Sequence, residues 1–139
     1  MKARNMRPQQ AVSNWPIVLI VDDDADILHT LGLCLSSEGY RIHMASNGKE
    51  ALEMLETERP HVILLDLMMP VMDGWQLVAE MDARGLRDAA LVILSADRAV
   101  QGQAGSLRAS GHLAKPFDLD DLLDMIQKLT RGPAAVAMH

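Results

Sequence analysis

The chain has 139 residues, 49% of them apolar, which suffices for one domain with a true core and excludes a disordered chain. Its 13 Lys plus Arg against 19 Asp plus Glu leave a formal net charge of −6, so no direct nucleic-acid partner is expected, because phosphate-backbone binding wants a basic face. The one cysteine, Cys34, cannot close an internal disulfide and suits a reducing compartment, the cytoplasm. No apolar run approaches the roughly 18 residues of a membrane span, and no leader-like region opens the chain.

In chain order, residues 1–15 are polar with scattered basic side chains and read as a flexible tail ahead of a domain at 16–131. Ile17-Val18-Leu19-Ile20-Val21 is a continuous apolar run, the pattern of a strand buried on both faces. It ends in Asp22-Asp23-Asp24, where Asp24 suits the N-cap of a helix bearing Ile27, Leu28, Leu31, Cys34 and Leu35 at helical spacing. Gly39 stops that helix, and Tyr40 to Ala45 alternates as a strand near a sheet edge does. Asn47 and Glu50 form an N-cap pair for a helix carrying Ala51, Leu52 and Leu55.

Val62-Ile63-Leu64-Leu65 is the third strand, closed by Asp66. Pro70 halts regular structure, and Asp73-Gly74 opens a helix with Leu77, Val78 and Met81 inward and Gly85 at its end. Ala90-Leu91-Val92-Ile93-Leu94 is the fourth strand, with Ser95 at its carboxyl end. Residues 97–111 are poor helix material: Gly102 and Gly105 together disfavour helix by about 2 kcal/mol relative to alanine, so this stretch is expected to be the mobile, responsive part of the domain. His112-Leu113-Ala114 is a minimal fifth strand running into Lys115-Pro116. Asp118 then caps the clearest helix, with Leu119, Leu122, Leu123, Ile126 and Leu129 on one face, and residues 132–139 read as a frayed tail.

Five strands alternating with five helices imply a single α/β domain with a doubly wound parallel sheet. In the strand order 2-1-3-4-5, strands one and three are neighbours, and Asp22, Asp23 and Asp66 share one pocket at the strands' carboxyl ends, where open α/β sheets bind ligands. Packed carboxylates repel, and either raised pKa values or a bound cation relieves them. An all-oxygen, partly open site favours Mg²⁺. A divalent ion, the hydroxyl of Ser95 and the ammonium of Lys115 around one carboxylate form a phosphoryl-transfer site.

The motifs Val21-Asp22-Asp23-Asp24, LLDLMMPVMDG at residues 64–74, LSA at 94–96 and AKPF at 114–117 stand at successive strand ends. Together they resemble the receiver domain of the response-regulator family of two-component signalling, over residues 17–131. The resemblance implies a flavodoxin-like, chemotaxis-regulator-like fold with Asp66 as phosphoacceptor. It implies Asp23 as a direct and Asp22 as a water-mediated Mg²⁺ ligand, with the backbone carbonyl of Met68 as the third protein ligand. Ser95 corresponds to the hydroxyl that meets the phosphoryl group and shifts inward, and Lys115 to the lysine that pairs with acceptor and phosphate, before a cis Lys115–Pro116 bond. The implied partners are a sensor histidine kinase or phosphotransfer protein upstream and a downstream protein. The implied role is a signalling module whose chemistry is confined to its own phosphorylation and dephosphorylation, a stand-alone regulator or a domain of a larger protein.

Two departures stand out. His112 occupies the position three before the lysine where the family usually has Tyr or Phe, and the stretch from Ser95 to Lys115 is about two residues short of common members. The positions that correspond to the family's hydroxyl-and-aromatic switch are Ser95 and His112, and the two departures favour an order–disorder transition over the usual rotamer change.

The competing readings are a receiver-like interaction module that is not phosphorylated and a phosphatase of the haloacid-dehalogenase type. The latter wants Asp-x-Asp-Gly-Thr/Val where the chain has Asp22-Asp23-Asp24-Ala25-Asp26. His29, His43 and His61 lack ligand spacing for zinc, while Met68, Met69 and Met72 read as a pliable rim beside the site.

Overall fold

The computed structural model describes residues 15–96 and 105–137. Five parallel strands, β1 (Ile17–Val21), β2 (Arg41–Ala45), β3 (Val62–Asp66), β4 (Ala90–Ser95) and β5 (Gly111–Ala114), form one sheet in the order β2-β1-β3-β4-β5. The apolar runs of β1, β3 and β4 alternate in side-chain direction, so each of these strands feeds two cores. Leu19, Val21, Ile63, Leu65, Leu91 and Ile93 face α2 (Gly48–Leu55) and α3 (Gly74–Arg84). Val18, Ile20, Val62, Leu64, Val92 and Leu94 face α1 (Ala25–Ser37) and α4 (Leu119–Ala137). This two-sided burial is why these three strands read as unbroken apolar runs.

The helix ends follow their local chemistry. Asp24 caps α1 by accepting from the amides of Asp26 and Ile27, and Gly39 follows its end at φ 96°. Asn47 caps α2 through the Glu50 amide, while the Glu50 carboxylate turns to Ser46 instead of the cap backbone. Asp73 and Gln76 form a capping box on α3, and Gly85 ends it in the left-handed conformation at φ 70°.

Among the described residues there are four helices, not the five of the sequence reading. Most of the segment expected to hold the fifth, residues 97–104, lies outside the described residues, as do residues 1–14 of the expected tail. Residues 105–108 form a turn, with Arg108 at φ 56°. Arg87 donates to the carbonyls of Leu107 and Arg108 at 2.9 and 3.2 Å and pairs with Asp82, so this turn is tied to the end of α3 by charge-assisted bonds. Helix α4 runs to Ala137, past Arg131 where the sequence reading closes the domain. No helix among the described residues is long and apolar enough to cross a membrane.

Candidate phosphoacceptor site

Asp66 is the last residue of β3, and Asp22 and Asp23 follow β1 on the neighbouring strand. One carboxylate oxygen from each of the three lies within 4.8 Å of the others. Asp22 is fully buried and Asp66 is 8% exposed, whereas Asp23 faces solvent. Each buried acid is held by backbone as well as by charge: the Met68 amide donates to Asp66 Oδ1 at 3.0 Å, and the Asp24 amide to Asp22 Oδ1 at 2.9 Å.

Lys115 enters from the end of β5, where its amide donates to the Ser95 carbonyl at 2.9 Å and its bond to Pro116 is cis. The ammonium donates to Asp22 Oδ2 at 2.7 Å and to Asp66 Oδ2 at 3.3 Å, bridging the two strand ends. The closer pairing with Asp22 is a feature that motif spacing could not show; it follows from Asp22 being the more deeply buried charge, which needs a counter-ion most.

Burial raises the Asp66 carboxyl above its usual value, and the charge of Asp22 pushes the same way; the Met68 amide and the Lys115 ammonium offset only part of this. Burial works against the charge of Lys115, yet its hydrogen bond to Asp22 and the charges of Asp22 and Asp66 outweigh that and raise its pKa. The cluster therefore holds two buried acids against one lysine, with the third acid exposed at its mouth. An all-oxygen donor set with one open side is what Mg²⁺ takes.

Ser95 is buried at the end of β4, in register with Ala114. His112 is exposed on the edge strand β5, with β4 between it and Asp66, so the structure does not bring it into the cluster. Asp24 is spent as a helix cap, as its cap preference implied.

The methionine rim needs correction: Met68 is 57% exposed, but Met69 is buried and Met72 packs against the core, because the loop after β3 folds back onto α2 and α3. Trp75, in the first turn of α3, also packs against that core. A feature of the loop invisible to motif reading is Val71, exposed and held at φ 68°.

Similarity to known proteins agrees with this arrangement. Residues 18–127 match the family model of the response regulator receiver domain. The response regulator MprA of Mycobacterium leprae (strain TN) is 37% identical over 116 residues, and the chain spans about half the length of the curated relatives it matches, 82% of this chain against 50% of the relative.

Two solved structures share the fold. The Francisella response regulator 1452 receiver domain is 30% identical with a TM-score of 0.76, covering 84% of this chain and 97% of that one. The response regulator TrrA of Thermotoga maritima, solved in complex with Mg²⁺-BeF, is 31% identical with a TM-score of 0.74, covering 82% and 98%. The chain belongs to the response regulator receiver domain family.

Proposed function

We propose that Asp66 accepts a phosphoryl group from a histidine kinase or phosphotransfer protein in a Mg²⁺-dependent reaction, and that the domain then signals to a protein partner by changing shape. The observation that carries this is the Asp22–Asp23–Asp66 cluster bridged by Lys115, because the acceptor oxygen sits beside both a cation and an oxygen donor set for a divalent ion. That the Thermotoga relative was solved in complex with Mg²⁺-BeF supports a Mg²⁺ site here.

In the transfer, an Asp66 carboxylate oxygen attacks phosphorus in line with the bond to the leaving imidazole nitrogen. The P–N bond breaks, the imidazole keeps the electron pair and takes a proton, and an acyl phosphate remains on Asp66. Asp22, Asp23, Asp66 and the Met68 carbonyl would hold Mg²⁺, which when bound neutralises phosphoryl oxygens. Lys115, already beside Asp66 Oδ2, supplies a second positive charge, and the Ser95 hydroxyl supplies the hydrogen bond that draws β4 toward the phosphorylated site. Hydrolysis by water returns inorganic phosphate and the carboxylate.

A haloacid-dehalogenase-type phosphatase is disfavoured because Asp24, the second acid of its motif, is engaged as the α1 cap. The absence of a nucleic-acid partner is proposed for this segment alone, on its acidic charge.

The test is incubation with a small-molecule phosphodonor and Mg²⁺, read by intact mass. One added phosphoryl group that disappears in Asp66→Asn is the expected result. No addition to the parent, or equal addition to Asp66→Asn, refutes the proposal, the first favouring the interaction-module reading.

A further inference from the structure

The loop from Asp66 to α3 carries a strained turn. Val71 sits at φ 68°, in the left-handed region that β-branched residues avoid. It is the centre of a three-residue turn closed by the Met72 amide donating to the Pro70 carbonyl at 2.7 Å, the rare and strained hand of the γ-turn. The Val71 side chain is 75% exposed, so its own packing does little to offset that strain. Strained backbone persists where surrounding structure over-determines it.

The constraint is a contact with α2. The amide of Gly48, its first residue, donates to the Met72 carbonyl at 3.0 Å. A Cβ at position 48 would lie 2.6 Å from that oxygen and 2.9 Å from Met72 Cγ, so the approach needs glycine for space. At the loop's other side the Gly74 amide donates to the Leu67 carbonyl at 2.9 Å. Between these two anchors lie Met68, whose amide holds Asp66 Oδ1, and the turn at Val71.

We propose that the Gly48–Met72 contact is a positioning clamp. It holds the β3–α3 loop in its strained turn and so fixes the Met68 backbone and the Asp66 carboxylate as one Mg²⁺ donor set. The inference rests on the Mg²⁺ reading above. Gly48 belongs to a helix that contributes no acid to the site, so the clamp couples the position of α2 to metal affinity.

The test titrates Mg²⁺ calorimetrically into the parent chain, Gly48→Ala, Val71→Gly and Gly105→Ala, with amide exchange followed at Met72 and Gly74. Gly105 is the control, since nothing lies within 4 Å of an added Cβ there. Gly48→Ala is expected to weaken Mg²⁺ about tenfold, the scale of losing an outer-shell support, and to speed exchange at Met72 and Gly74 while the sheet amides stay protected. Val71→Gly is expected to melt no lower than the parent, since the strain is gone, and to bind Mg²⁺ at least as tightly, since the Gly48–Met72 contact is intact and no longer works against strain. Loss of Mg²⁺ affinity in Gly48→Ala with the sheet amides still protected is the signature that a merely structural role does not give. Gly105→Ala should match the parent.

Parent-like affinity in Gly48→Ala, within about twofold, overturns the clamp and leaves the Mg²⁺ site standing. Failure of the parent to bind Mg²⁺ overturns the site reading and the clamp with it. If Gly48→Ala does not fold, Val71→Gly decides, and several-fold weaker Mg²⁺ binding there overturns the clamp, since the stiffness of the turn itself and not the contact with α2 would then set the donor set.

Discussion

Lys115→Met removes the cation that bridges two buried acids while keeping an aliphatic stem of similar length. With nitrogen–oxygen separations of 2.7 Å to Asp22 and 3.3 Å to Asp66, an effective dielectric of about 20 gives attractions of about 6 and about 5 kcal/mol. Desolvation of the ions offsets most of that sum. The cost of the substitution is set by what the acids do when abandoned. Lying within 4.8 Å of each other, they can relieve their repulsion by binding one proton.

Protonating a carboxyl of ordinary pKa 3.8 at pH 7 costs about 4 kcal/mol, at about 1.4 kcal/mol per pH unit. The expected loss of stability at pH 7 is therefore about 3 to 4 kcal/mol, in line with the ~3–5 kcal/mol measured when one partner of a buried pair is removed. At pH 4.5 the same proton costs about 1 kcal/mol, so the gap between variant and parent should close. Urea denaturation of both proteins at the two pH values measures this. A loss below about 1 kcal/mol at pH 7, or one equal at both pH values, refutes the account of Lys115 as counter-ion to Asp22 and Asp66.

Asp66→Asn is expected to be more stable than the parent at pH 7: a raised carboxyl contributes stability that is complete below 3.8 and lost as pH rises through the folded value, and asparagine has no charge to bury. Thermal melts should show that advantage vanishing below pH 3.8, and an advantage independent of pH would contradict the burial argument. Asp23→Asn should lose most Mg²⁺ affinity with the fold intact, since Asp23 is exposed and removes one repelling charge; an unchanged titration curve excludes it as a ligand. Met68→Ala trims an exposed side chain two residues beyond the acceptor and should change the decay rate of the phosphorylated protein by a factor of a few, as followed by loss of the mass adduct. Decay at the parent rate would remove Met68 from the path of the attacking water.

Much of this protein is legible along the chain, because much of it is local or periodic. The runs at Ile17–Val21, Val62–Asp66 and Ala90–Ser95 are apolar without interruption because both sheet faces are covered, and that pattern alone places β1, β3 and β4. Asp24, Asn47, Asp73 and Gly85 mark helix ends through bonds spanning two to four residues, so their roles need no tertiary partner. The location of Asp22, Asp23 and Asp66 at one sheet edge follows from strand direction and order, once the chain alternates strand and helix.

Tertiary structure decided what depends on groups distant in sequence. Lys115 turns more closely to Asp22 than to Asp66, across a separation of 93 residues, because burial differs between two acids that look alike in sequence. Met69 goes inward and Met68 outward because the loop docks on α2 and α3, which no residue in the loop announces. Val71 stands at φ 68° against its own preference, in a loop whose Met72 carbonyl is taken by Gly48, the first residue of α2. Local preferences of about 1–2 kcal/mol decide an element only where nothing larger opposes them, and at this loop the docking of one helix against another opposes them.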